Sequence, residues 1–108
     1  MRRGDIVIVA PQGDYGKPRP AVVIQSDKLI TGTSVLVVLL TSAIADTPIY
    51  RLRLVPDKNN GLRQDSEIMV DKITALPCAK IGAVIGSLDD GTLAELNATL
   101  AVMIGIAD

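Results

Sequence analysis

Apolar residues fall in short blocks along most of this chain, and their period changes once, near the end. Asp5-Ile6-Val7-Ile8-Val9-Ala10 is rich in β-branched residues and predicts a first strand. Ala21 to Gln25 predicts a second, short and apolar. Ser34 to Ser42 carries the strongest strand signal: its unbroken apolar run predicts burial on both faces, and it ends in two hydroxyls, Thr41 and Ser42. Tyr50-Arg51-Leu52-Arg53-Leu54 alternates polar and apolar, the pattern of a half-exposed strand with both arginines on its outer face. Ser66 to Asp71 and Ile81 to Ile85 complete the strands, the former delivering Asp71 and Lys72 at its end. Beyond Asp89, which reads as an N-cap, Leu93, Leu96, Leu100 and Met103 or Ile104 recur at helical spacing as far as Gly105.

The connections are equally marked. Pro11 to Pro18 is dense in turn formers and predicts an exposed loop, Asp57 to Leu62 is a turn cluster, and Leu76 to Lys80 predicts a loop or a single helical turn. Short strands followed by one helix predict a mainly β fold with a C-terminal helix. The sheet should be strongly bent or closed into a small barrel, within a single domain over residues 1–108.

Composition narrows the chemistry. Hydrophobic residues make up 48% of 108 positions with no Phe, no Trp and two Tyr, so the core must be aliphatic. The single cysteine, Cys78, excludes an internal disulfide and is expected to be a passive packing residue. With no histidine in the chain, neither a structural zinc site nor the commonest general base is available. The longest apolar run, Val35 to Leu40, is too short to span a bilayer, and no basic-then-apolar leader opens the sequence, so a cytoplasmic protein is expected.

A net charge of −1 hides an asymmetry. Arg2, Arg3, Lys17 and Arg19 cluster early, while Arg51, Arg53, Lys58 and Arg63 cluster in the middle. After Lys80 only acids remain. Two basic segments form one polyanion-binding face if the fold brings them together; otherwise they are solvated surface charge.

Arg19 stands out within the first segment. Pro18 has a locked φ, and Pro20 drives the residue before it towards an extended backbone. The strand should begin only at Ala21, because neither proline can donate to a sheet ladder. A fork-shaped cation on a stiffened backbone suits the holding of a phosphate or carboxylate, although it also describes a charge that merely ends a loop. With a Thr-Ser pair ending one strand, an Asp-Lys pair ending another and a basic strand, the groups suit phosphodiester chemistry in which the substrate brings its own nucleophile. RNA does so through its 2′-hydroxyl.

The ordered motifs resemble a known family. Arg3-Gly4-Asp5-Ile6-Val7, Gly16-Lys17-Pro18-Arg19-Pro20-Ala21-Val22-Val23-Ile24-Gln25, Leu39-Leu40-Thr41-Ser42, Gly61 to Ile73 and Ile85-Gly86-Ser87-Leu88 are similar, in that order, to the MazF/PemK toxin endoribonucleases of type II toxin-antitoxin systems. The resemblance implies an SH3-like small barrel, a homodimer, and cleavage of single-stranded RNA without a metal or other cofactor. It also implies neutralisation by a cognate antitoxin, expected to be an acidic, partly disordered segment.

Residue by residue, the resemblance implies that Arg19 and Thr41 are catalytic, with the arginine usually described as base and the threonine as acid. A guanidinium stays protonated at neutral pH, so clamping the transition state is its easier task. Lys17, Ser42, Arg51, Arg53, Asp71 and Lys72 are the expected RNA contacts, with Tyr15 the stacking candidate. Asp71 is read either as a base-edge or Arg19-orienting acid or as a surface salt-bridge partner. Lys72 stands where many relatives carry glutamine. The alternative is a non-enzymatic gyrase poison of the CcdB type, a protein that depends on a C-terminal tryptophan; this chain has none.

Overall fold

The computed structural model describes residues 1–10, 17–30, 32–46 and 50–108. Six strands and one helix follow in order: β1 Asp5–Val9, β2 Arg19–Val23, β3 Ser34–Thr41, β4 Arg51–Leu54, β5 Ser66–Pro77, β6 Ile81–Ser87 and α1 Asp90–Met103. Single 3₁₀ turns lie at Asp27–Leu29 and Cys78–Lys80.

All the strands join one antiparallel sheet in the order β4-β5-β3-β2-β1-β6. The sheet does not close through a ladder, because β4 and β6 are its edges. What brings the edges together is the turn after β4. There the Ser87 N–H donates to the Asn59 carbonyl at 2.9 Å, linking the end of β6 to the 57–60 turn. The result is a barrel-like sheet with a seam.

Alternation along the strands divides the core. Ile6, Val22, Val38, Leu40, Leu52, Leu54, Ile68 and Val70 face one way and are covered by Leu96 and Leu100 of α1. Val7, Val9, Ala21, Val23, Val35, Val37 and Leu76 form a second cluster on the opposite face. Period-2 patterning on strands and 3.6-residue spacing on the helix therefore meet in the first cluster, with Leu93 and Met103 packed at its margin. Asp89 caps α1 by accepting from the Thr92 N–H at 2.7 Å. That backbone donor, helped by the Thr92 hydroxyl and the Gly91 N–H, holds its carboxyl below the ordinary value of 3.8.

Four expectations change on contact with the structure. Strand β2 begins at Arg19, two residues before Ala21. Its pairing with β3 stops at Ala21↔Leu39, whereas pairing with β1 continues through Pro20↔Ile8 and Arg19↔Val9. Strand β5 runs on to Pro77, well past Asp71. Between Leu40↔Ile68 and Val38↔Ile73, β5 advances five residues while β3 advances two. The bulge at Met69–Lys72 breaks the alternation that would have announced one long strand. Strand β3 is not buried on both faces, since Leu36 is 40% exposed. Cys78 is exposed on its 3₁₀ turn rather than packed, its Sγ 3.5 Å from the Gly32 carbonyl.

Candidate active site

A cavity of about 650 Å³ opens at one end of the sheet. Lys17, Pro18, Arg19 and Pro20 line it from the start of β2, Thr41 and Ser42 from the end of β3, and Gly61 to Gln64 from the segment before β5. Ile8, Leu40, Leu62 and Ile85 give it an apolar floor. Among the described residues, a lysine and two arginines line this cavity and no Asp or Glu does. Such a lining favours an anion, and its volume falls within the range of small-molecule pockets.

The strand pairing explains why Arg19 and Thr41 line one cavity. Ala21 stands opposite Leu39 in the β2–β3 ladder, and the same register carried two residues further sets Arg19 across from Thr41. The Thr41 Oγ1 accepts from the Ala43 N–H at 3.1 Å. A hydroxyl has two lone pairs and one proton, so this bond fixes the oxygen and leaves the O–H to donate elsewhere. Lys17 and Ser42 stand exposed at the rim.

Behind Thr41, Glu67 anchors the following loop. The two residues are Cα partners in the β3–β5 ladder. Glu67 is 3% exposed, and its carboxylate accepts from the Ala45 N–H at 3.0 Å and the Asp46 N–H at 3.2 Å. Asp46 itself adopts φ 56°, a turn conformation that Asp tolerates. Nothing in the sequence marked Glu67, since a carboxylate within a strand reads as solvent-facing.

The opposite wall is the turn before β5. Asp57 Oδ1 accepts from the Asn59 and Asn60 N–H groups, each at 2.7 Å. The Asn60 side chain, 4% exposed, accepts from the Asp57 and Leu62 N–H groups and donates to the Val55 carbonyl. Gly61, at φ +68°, then passes directly against the Ile85 carbonyl of β6, and Gly86 lies as closely against Asn59 and Asn60. Each approach leaves no room for a side chain.

The remaining expected contacts sit elsewhere. Arg51 and Arg53 lie on β4 and Asp71 and Lys72 in the β5 bulge, and none of these lines the cavity. Arg51 Nε and Asp71 Oδ1 are 3.4 Å apart, with the Lys72 Nζ 3.9 Å from the other Asp71 oxygen. Asp71 is thus engaged as a salt-bridge partner. Arg53 pairs with Asp65 at 3.1 Å. Arg3 is likewise committed, its N–H to Asp27 at 2.6 Å and its Nε to the Ile24 carbonyl at 2.8 Å. Tyr15 lies outside the described residues. The early and middle basic segments do converge, but through Arg63. In the sequence it reads as part of the middle basic cluster and of the Gly61 to Ile73 motif, with no site role attached.

Among the described residues, no group of three His, Cys, Asp or Glu side chains could hold a metal ion. No helix there is long and apolar enough to cross a membrane.

Residues 2–104 match the family model of PemK-like, MazF-like toxins of type II toxin-antitoxin systems. The chain belongs to the PemK/MazF family. It is 39% identical over 108 residues to a protein of Mycolicibacterium smegmatis named "Probable endoribonuclease MazF", covering 99% of both chains. The fold agrees with solved PemK/MazF structures. An endoribonuclease in complex with its cognate antitoxin from a mycobacterial species superposes with a TM-score of 0.81 at 18% identity, over 100% of this chain and 98% of that one. The Mycobacterium tuberculosis toxin MazF-mt6 gives 0.79 at 22%, over 94% and 96%. A MazE-MazF complex from Deinococcus radiodurans gives 0.77 at 19%, over 99% and 97%. Membership of the PemK/MazF family disfavours the CcdB-type alternative.

Proposed function

We propose that this PemK/MazF toxin is an endoribonuclease that cuts single-stranded RNA at the cavity shared by Arg19 and Thr41. The reading is carried by one observation: Lys17, Arg19, Arg63 and the Thr41 hydroxyl converge on one cavity, and among the described residues no Asp or Glu lines it. In the reaction the RNA 2′-oxygen bonds to the adjacent phosphorus and the bond to the 5′-oxygen breaks. A cyclic phosphate and a 5′-hydroxyl result. The 2′-hydroxyl gives its proton to water and the 5′-oxygen gains one, so none is consumed overall. Arg19 clamps the phosphoryl oxygens as negative charge builds on them, and a guanidinium at neutral pH does this without changing protonation. The Thr41 hydroxyl supplies the leaving oxygen's proton and recovers one from water. Lys17 and Ser42 hold the strand at the rim. Arg51, Arg53, Asp71 and Lys72 contact RNA only if it extends beyond the cavity, and Tyr15 remains the candidate for base stacking.

The same reading makes residues 1–108 one toxin domain acting in the cytoplasm as a homodimer. An acidic, partly disordered antitoxin segment neutralises it by covering the basic cavity. Incubation of the purified protein with a mixed-sequence transcript in EDTA tests the activity. Discrete fragments ending in cyclic phosphate are expected. Intact RNA together with stalled DNA gyrase would overturn the reading.

A further inference from the structure

We infer that Arg63 is a second phosphate-binding arginine, holding a phosphate of the RNA next to the one Arg19 clamps; the inference rests on the ribonuclease reading above. Arg63 lines the same cavity as Arg19 and Lys17, yet it arrives from a different part of the chain. Its neighbours on both sides are fixed. Leu62 is buried in the core and its N–H donates to the Asn60 side chain at 3.0 Å, while the Gln64 carbonyl accepts from the Ser66 hydroxyl at 3.0 Å. The preceding turn is pressed onto β6 at Gly61 and Gly86. An arginine on so constrained a backbone loses little backbone freedom when it takes a ligand, and only its side chain has to be ordered.

Its charge is also available. Asp65, the nearest acid in the chain, is occupied by Arg53 at 3.1 Å, and Arg63 forms no ion pair with a described residue. A single strand offers a phosphate at every nucleotide. A cavity with one cation at the reacting phosphate and another on the facing segment therefore suits a polyanion threaded through it, more than an isolated phosphate monoester. Phosphate contacts set position and carry no base information, so Arg63 contributes affinity and leaves the cleavage motif alone.

The test compares initial rates on one single-stranded transcript for the wild type and for Arg63→Ala, Arg63→Lys and Lys58→Ala. Lys58 is an exposed lysine of the same turn that does not line the cavity. For Arg63→Ala, KM should rise about tenfold with kcat within about twofold and the cleavage sites unchanged. The log–log dependence of kcat/KM on salt should become shallower by about 0.7, the loss of one phosphate contact to a single strand. Arg63→Lys should keep the wild-type slope, and Lys58→Ala should change neither quantity. An Arg63→Ala enzyme with wild-type KM and salt slope would overturn the inference, as would an equal effect of Lys58→Ala. If the wild type cuts no RNA, the ribonuclease reading falls by itself. Equilibrium binding of the uncut transcript then reads the same slope, and an unchanged slope for Arg63→Ala removes the Arg63 site too.

Discussion

Replacing Gly61 by alanine tests whether the cavity wall is as rigid as its packing implies. A Cβ there would lie 2.8 Å from the Ile85 carbonyl carbon and 3.3 Å from its Cβ, and closer still to the carbonyl oxygen. These are mainly backbone atoms of a paired strand and cannot rotate away. Two costs add. Holding a non-glycine residue near φ +68° costs about 1–2 kcal/mol, and forcing an extra carbon into a packed contact costs about 1–3 kcal/mol. Together they remove roughly 2–5 kcal/mol from a domain whose total stability is on the order of 5–15 kcal/mol. At roughly 4–8 °C per kcal/mol, the melting temperature should fall by about 10 °C or more. Two other glycines serve as references. Gly105, at φ +81° with nothing within 4 Å, isolates the conformational cost, and Gly32, also with open space around it, should change stability by no more than about 0.5 kcal/mol. Melting of all three variants by circular dichroism gives the order. RNA cleavage at 25 °C then shows whether the displaced wall also costs activity. Should Gly61→Ala melt with Gly32→Ala, the wall is pliable and the case for a preset Arg63 goes with it.

The loop after Thr41 and the helix cap yield two further outcomes. Glu67→Gln replaces one acceptor oxygen with a donor facing a backbone N–H, so the Ala45 and Asp46 amides should exchange about tenfold faster, the scale of one net hydrogen bond to a charged group. Unchanged protection of both amides would show that the buried carboxylate does not order the loop. At Asp89 the folded carboxyl is more acidic than in the unfolded chain, so its stabilisation is complete above the ordinary value of 3.8. It disappears as pH falls through the lower folded value. The melting-temperature gap between wild type and Asp89→Ala should therefore be widest near neutrality and narrow below about pH 4. A gap that stays constant down to pH 2 would contradict the assignment.

How much the sequence disclosed depends on whether a residue's own neighbours or distant ones decide its place. Ile6 to Val9, Val35 to Leu40 and the Leu96–Leu100 stripe wrote their structure locally, and their strands and helix appear where the pattern put them. Strand β5 did not, because the Met69–Lys72 bulge resets the alternation and only pairing with β3 reveals that Ile73 to Pro77 continues it. Leu36 reads as core by type and shares the strand face of Val38 and Leu40, yet it stands 40% exposed at the far end of β3. Arg19 announced itself through its flanking prolines, and its meeting with Thr41 needed the β2–β3 register. For Asp71 the sequence leaves a ligand-facing acid and a salt-bridge partner both open, and cross-strand geometry pairs it with Arg51. Glu67 stayed illegible because the 45–46 loop folds back onto it from elsewhere, and Arg63 because only the fold sets the 61–64 segment beside Arg19.

The central claim is that the guanidinium of Arg19, carried on a proline-flanked strand end, stabilises the phosphorus-centred transition state. The most direct measurement is single-turnover cleavage of a defined single-stranded RNA in EDTA by wild type and Arg19→Ala, both first shown to be folded at the assay temperature. A rate at least ~10²-fold lower for the variant is predicted, the usual scale for losing one preorganised electrostatic donor. A variant that cuts the same bonds within about threefold of the wild-type rate would contradict it.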